Sequence, residues 1–151
     1  MEQNLKSQLF AFCRSFADSR IARILTAIAD LNEALDDETK SSSGDKHETG
    51  RAMLQLDIEK SGVQLAEAQK MAKVLEFVNI KTKSDYVGLG NLVKTTKANY
   101  FLAISAGEFK ADGLSVYCIS SETPIGQLLF GKEVGATVRF NENEIKITEI
   151  L

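Results

Sequence analysis

The chain has 151 residues, 44% hydrophobic and 26% charged, with a formal net charge of -3 and a pI near 5.3; this balance argues against disorder, collagen-like repeats and a coiled coil along the whole length. A net-acidic chain lacks the basic field with which a protein grips duplex DNA by itself, so autonomous nucleic-acid binding is disfavoured. No run approaches the roughly 20 apolar residues of a membrane span, Arg14 and Asp18 interrupt any signal-like stretch, and Cys13 and Cys118 lack metal-ligand or redox spacing, so they read as small apolar core residues of a reduced, cytoplasmic protein.

The first predicted element is a long helix, because Ile21, Ile24, Ile28, Leu31 and Leu35 recur at alternating steps of three and four and so line one face. Arg14, Arg20 and Arg23 on the same helix could touch RNA or an acidic protein surface, though a solvated helix face is the simpler reading of them. The pattern stops at Asp36-Asp37-Glu38-Thr39-Lys40-Ser41-Ser42-Ser43-Gly44, residues that favour turns over helix interiors, and the chain is expected to reverse there. The period returns on Leu54, Ile58, Ser61, Leu65, Ala68, Ala72 and Leu75. Helices of this length are stable when their apolar stripe is buried against a partner. Residues 1–78 are therefore predicted to form an antiparallel coiled-coil hairpin with arms of about 30 residues, on the order of 45 Å long. No apolar residue occupies 36–47, so a tip at 36–48 is expected to face solvent or a partner.

A polar linker is predicted at 79–85. Beyond it the pattern turns to short β-type segments at Leu92–Thr96, Tyr100–Ile104, Leu114–Ile119, Ala136–Phe140 and Ile145–Ile150. Gly107, Asp112-Gly113 and Asn141-Glu142-Asn143 lie between them as turn formers. Within this half, Thr123 precedes Pro124, an apolar turn follows, and Gly131 closes it, which is the pattern of a short capped helix. The expected fold class is α+β: the hairpin, then a small antiparallel β-sheet domain with one short helix at 86–151.

These features resemble the Gre transcript-cleavage factors GreA and GreB. Their C-terminal half carries a Ser-Pro-(Ile or Leu)-(Gly or Ala) helix start, a Leu-hydrophobic-Gly-Lys stop and a Val-Gly-Asp-X-Val strand, matched here by Thr123 to Lys132, Val134 to Val138 and the final strand Ile145 to Leu151. Near the hairpin turn the family has Gly-Asp-(Leu or Ile)-X-Glu-Asn-Ala-Glu-Tyr. Gly44-Asp45-Lys46-His47-Glu48 keeps the first part, whereas Thr49-Gly50-Arg51 departs from it. The resemblance implies an FKBP-like C-terminal domain that docks at the rim of the RNA polymerase secondary channel. It further implies a monomeric accessory factor, not itself an enzyme, that stimulates cleavage of backtracked RNA and meets the nascent RNA 3′ end indirectly.

In that reading Asp45 and Glu48 are the catalytic and metal-binding carboxylates, with no cofactor of the protein's own and a Mg²⁺ held jointly with the polymerase. Mg²⁺ is commonly held by one or two carboxylates plus phosphate oxygens and waters, so a short acidic pair suits a shared site. The same spacing is also that of a capping box, in which both side chains bond backbone N–H groups. Asp36, Asp37 and Glu38 form a second acidic cluster whose charge opposes the helix dipole. Lys46, His47 and Arg51 complete the candidate tip: His47 as a proton carrier or an exposed side chain, Arg51 as a partner of Glu48 or of RNA phosphate. The departures after Glu48 keep open a non-cleaving occupant of the channel or a protein-interaction hairpin.

Overall fold

The computed structural model describes residues 2–40 and 44–151, with side chains described for 3–40 and 48–151. The order is α1 (Glu2–Lys40), α2 (Gly44–Glu76), β1 (Leu92–Thr95), β2 (Asn99–Leu102), β3 (Gly107–Ala111), β4 (Leu114–Ile119), α3 (Pro124–Leu129), β5 (Thr137–Phe140) and β6 (Asn143–Ile150). This is the expected α+β class, a long helical hairpin followed by a six-stranded sheet and a short helix. The chain forms two compact units, one of Met1–Phe16 with Lys73–Leu151 and one of Ala17–Ala72.

In the unit Ala17–Ala72, the residues of the predicted stripe are shielded from solvent. Ile21, Ile24, Ile28, Leu31 and Leu35 of α1 are half-buried, as are Leu54, Ile58, Ser61, Leu65 and Ala72 of α2, while Ala17 and Ala68 are buried. A strict alternation of three and four keeps such a stripe facing one partner helix. The stripe runs further than expected. α1 does not stop at Asp36 but continues to Lys40, because Asp36 to Lys40 contains neither Gly nor Pro. The Thr39 hydroxyl donates back to the Leu35 carbonyl at 2.8 Å, and Lys40 in the last turn complements the helix dipole.

The other unit is built on a mostly antiparallel sheet of order β3-β4-β2-β1-β6-β5. One pair departs from the all-antiparallel expectation: β2 and β4 run parallel, with Phe101 beside Cys118. The reason is β3, a strand absent from the sequence reading. It occupies the sheet edge and hairpins onto β4 through Asp112 and Gly113, so β4 arrives next to β2 in the same direction. As an edge strand β3 needs little apolar content, and its Gly107-Glu108-Phe109-Lys110-Ala111 carries one large apolar residue.

One sheet face forms a core of Val93, Leu102, Ile119, Val138, Ile145 and Ile147 with Ile125 and Leu129 of α3. The cap of α3 is as predicted: Thr123 Oγ1 accepts from Gly126 N–H at 3.1 Å and Pro124 begins the helix. On β4, Val116 and Cys118 alternate with Tyr117 and so point to the opposite face from it. The first turns of α1 pack in this same unit, with Leu9 and Cys13 fully buried and Phe12 edge-on to Phe109 of β3 at 5.3 Å.

Lys6 is buried, an outcome its residue type does not suggest. Its ammonium donates to the carbonyls of Leu151 at 3.2 Å and Thr82 at 3.5 Å, and burial holds its pKa below the usual lysine value. The carbonyl of Leu151 also accepts from Leu92 N–H at 3.0 Å and from the Asn91 side-chain amide at 3.1 Å. Among the described residues, no buried side-chain polar atom lacks a partner.

Candidate functional site

The candidate site is the end of the hairpin where α1 gives way to α2, within the unit Ala17–Ala72. Continuing the three-and-four spacing one step outward from Leu35 reaches Glu38, and one step back from Leu54 reaches Arg51. Both are half-buried, unlike their exposed neighbours Asp36, Asp37 and Ala52. The stripe therefore ends on a carboxylate in one helix and a guanidinium in the other. Sequence reasoning had assigned both to the polar tip, and the signal that could have placed them was the unbroken period itself.

Gly50 fixes how the two helices meet here. A methyl group built on its α-carbon would lie 3.5 Å from the Glu38 carboxyl carbon, so the end of α1 and the start of α2 are side by side, as an antiparallel hairpin requires. Beside this contact is an open cavity of about 230 Å³ lined by Leu35, Thr39, Glu48, Arg51, Ala52 and Gln55. Glu48 and Arg51, three residues apart on α2, share one helix face, and the cavity brings them together with Thr39 of α1.

Of the residues predicted for the site, Glu48 is exposed near the start of α2, Glu38 and Arg51 are half-buried at the end of the stripe, and Asp36 and Asp37 are exposed in the last turns of α1. Asp45, Lys46 and His47 lie in the first turn of α2, which begins at Gly44, and their side chains fall outside the described residues. Among the described residues, no group of three or more His, Cys, Asp or Glu side chains is gathered as a metal cage. The exposed Glu48 carboxylate is an oxygen donor of the kind Mg²⁺ accepts. No helix among the described residues is long and apolar enough to cross a membrane.

No known family model matches the chain, and no curated protein matches it. A solved structure described as that of the transcription factor Gfh1 is similar over 87% of this chain and 92% of its own, with 17% sequence identity and a TM-score of 0.35.

Proposed function

We propose that this protein is a Gre-like transcription elongation factor that enters the secondary channel of RNA polymerase and stimulates cleavage of backtracked RNA. The observation that carries the proposal is the pairing of two features. One is an antiparallel hairpin whose turn-proximal segments bear Asp36, Asp37, Glu38 and Glu48. The other is a following sheet domain with the Thr123-Pro124-Ile125-Gly126 helix start of the resembling family.

In this reading Asp45 and Glu48 lend oxygen ligands at the polymerase's magnesium site. The metal, when bound, makes a water easier to deprotonate and stabilises the leaving oxygen of the phosphodiester. Glu48, at the start of α2, would position that water. Arg51, beside it on the rim of the same cavity, would hold the RNA phosphate by a charge-assisted hydrogen bond. Helical geometry keeps Glu48 and Arg51 on one face, so the two act on the same stretch of RNA.

The test is a stalled, backtracked elongation complex of the cognate polymerase. Wild-type protein is expected to shorten the transcript from its 3′ end, and Asp45→Ala or Glu48→Ala to abolish shortening while the proteins still bind. Wild type that binds and shortens nothing removes the cleavage reading.

A second reading rests on Arg51 and the Thr49-Gly50 that precede it, where the tip departs from the family pattern: a channel occupant that regulates without cleaving. It predicts competition with an authentic cleavage factor and no shortening, whereas an unrelated adaptor would not compete.

A further inference from the structure

The stretch 80–85, most of the polar linker expected from the sequence, lines a cleft of about 750 Å³ in the sheet unit, together with Lys6 of α1 and Ile150 of β6. That size falls in the range of small-molecule sites, roughly 300–1,000 Å³. The lining is basic although the chain as a whole has a net charge of -3. Lys6, Lys81 and Lys83 contribute three ammonium groups, and Asp85 contributes one carboxylate. These side chains leave a local excess of two positive charges, and a recess walled by protein focuses such a field on an incoming anion.

The wall that carries Lys81 and Lys83 is braced from both ends. Asn79 accepts from Lys81 N–H at its side-chain oxygen, at 3.0 Å, and from Thr82 N–H at its carbonyl, at 3.2 Å. The Thr82 carbonyl in turn accepts from the Lys6 ammonium at 3.5 Å, and Ser84 Oγ accepts from Tyr86 N–H at 3.1 Å. Lys81 and Lys83 are exposed on either side of Thr82. Their main chain is therefore ordered before any ligand arrives, which reduces the entropy that binding must overcome.

Lys6 supplies a different kind of cation. It is only 3% exposed, and two of the three N–H groups of its ammonium go to the carbonyls of Thr82 and Leu151. Burial lowers its pKa, and an anion held nearby offsets that penalty by favouring the charged form.

We propose that this cleft binds a small organic monophosphate, its phosphate held by Lys6, Lys81 and Lys83 and its apolar part set against Ile80 and Ile150. A phosphate monoester carries about -1.5 to -2 charges at neutral pH, which matches the local excess. Lysine is a common point-charge partner of phosphate, and the hydroxyls of Thr82 and Ser84 in the same lining can donate to its remaining oxygens. The acidic balance of the chain favours a small ligand over a nucleic acid, whose binding grows with the number of phosphates neutralised along a track. The site uses none of the residues at the end of the hairpin, so it stands or falls independently of the cleavage reading.

The experiment is an NMR titration of the isotope-labelled full chain, without polymerase, using phenyl phosphate and inorganic phosphate in turn at constant ionic strength. The amide resonances of Lys81 to Asp85 are expected to shift and saturate with both probes, and phenyl phosphate should bind more tightly because its ring loses water against the two isoleucines. The double variant Lys81→Gln with Lys83→Gln should bind phenyl phosphate about tenfold or more weakly. Lys97→Gln with Lys132→Gln removes the same charge at two exposed positions outside the cleft and should bind as wild type does. The proposal is overturned if neither probe saturates by about 10 mM, if the shifts centre elsewhere, or if the two double variants weaken binding equally. It is also overturned if a short single-stranded RNA moves these amides while neither phosphate does. Tighter binding of inorganic phosphate than of phenyl phosphate overturns the part assigned to Ile80 and Ile150.

Discussion

Replacing Gly90 by alanine isolates the energetic role of one close approach in the sheet unit. Gly90 has φ +88°, and a Cβ there would lie 2.6 Å from the carbonyl oxygen of Asn79 and 3.1 Å from its carbonyl carbon. Both neighbouring atoms are backbone, and the Gly90 N–H is bound to the Leu102 carbonyl at 2.8 Å, so neither side yields without breaking other bonds. The left-handed backbone costs a non-glycine residue about 1–2 kcal/mol, and overpacking adds about 1–3 kcal/mol. The expected loss is therefore about 2–5 kcal/mol. Gly107 supplies the control, since its φ is +89° and a Cβ there would meet nothing within 4 Å. Gly107→Ala should cost only the backbone part, about 1–2 kcal/mol. Urea titration followed by near-ultraviolet dichroism suits the comparison, because the chain has no tryptophan and its three tyrosines, Tyr86, Tyr100 and Tyr117, all belong to the sheet unit. Equal costs for the two substitutions would refute the steric argument at Gly90.

Two further outcomes follow from the same physical reasoning. Ile58→Ala removes a half-buried member of the hairpin stripe and should cost about 1–2 kcal/mol, below the 2–5 kcal/mol typical of full burial; far-ultraviolet dichroism in urea measures it, and an unchanged midpoint would deny that the stripe is a packed seam. Lys6 gives a pH dependence: burial lowers its folded pKa below its unfolded value near 10.5, so between those two pKa values the unfolded chain binds more protons and stability rises with pH. Wild type should therefore gain stability relative to Lys6→Met as pH climbs toward 10.5, and a loss over that window would show that the Leu151 and Thr82 carbonyls outweigh desolvation.

The hairpin stripe was legible because it is a local repeat. Steps of three and four identify one helix face whatever the rest of the chain does, and the residues they select, from Ile21 to Leu35 and from Leu54 to Ala72, are shielded. The α3 cap was equally legible, since Thr123, Pro124 and Gly131 act within a few residues of one another. At the candidate site the same period, followed one step further, would have placed Glu38 and Arg51 on the seam. The end of α1 was harder to read: an acidic run marks a helix stop only on average, and here Thr39 and Lys40 sustain the last turn.

What the amino-acid order alone determined is what short-range physics sets: helical period, caps, turn formers and the alternation of most strands. Tertiary structure alone decided the parallel pairing of β2 with β4, the edge position of β3 and the burial of Lys6 under the Leu151 carbonyl. Each of these depends on which distant segment arrives as a neighbour. That choice is made by the summed burial of the whole sheet unit, and no single residue or short window carries it.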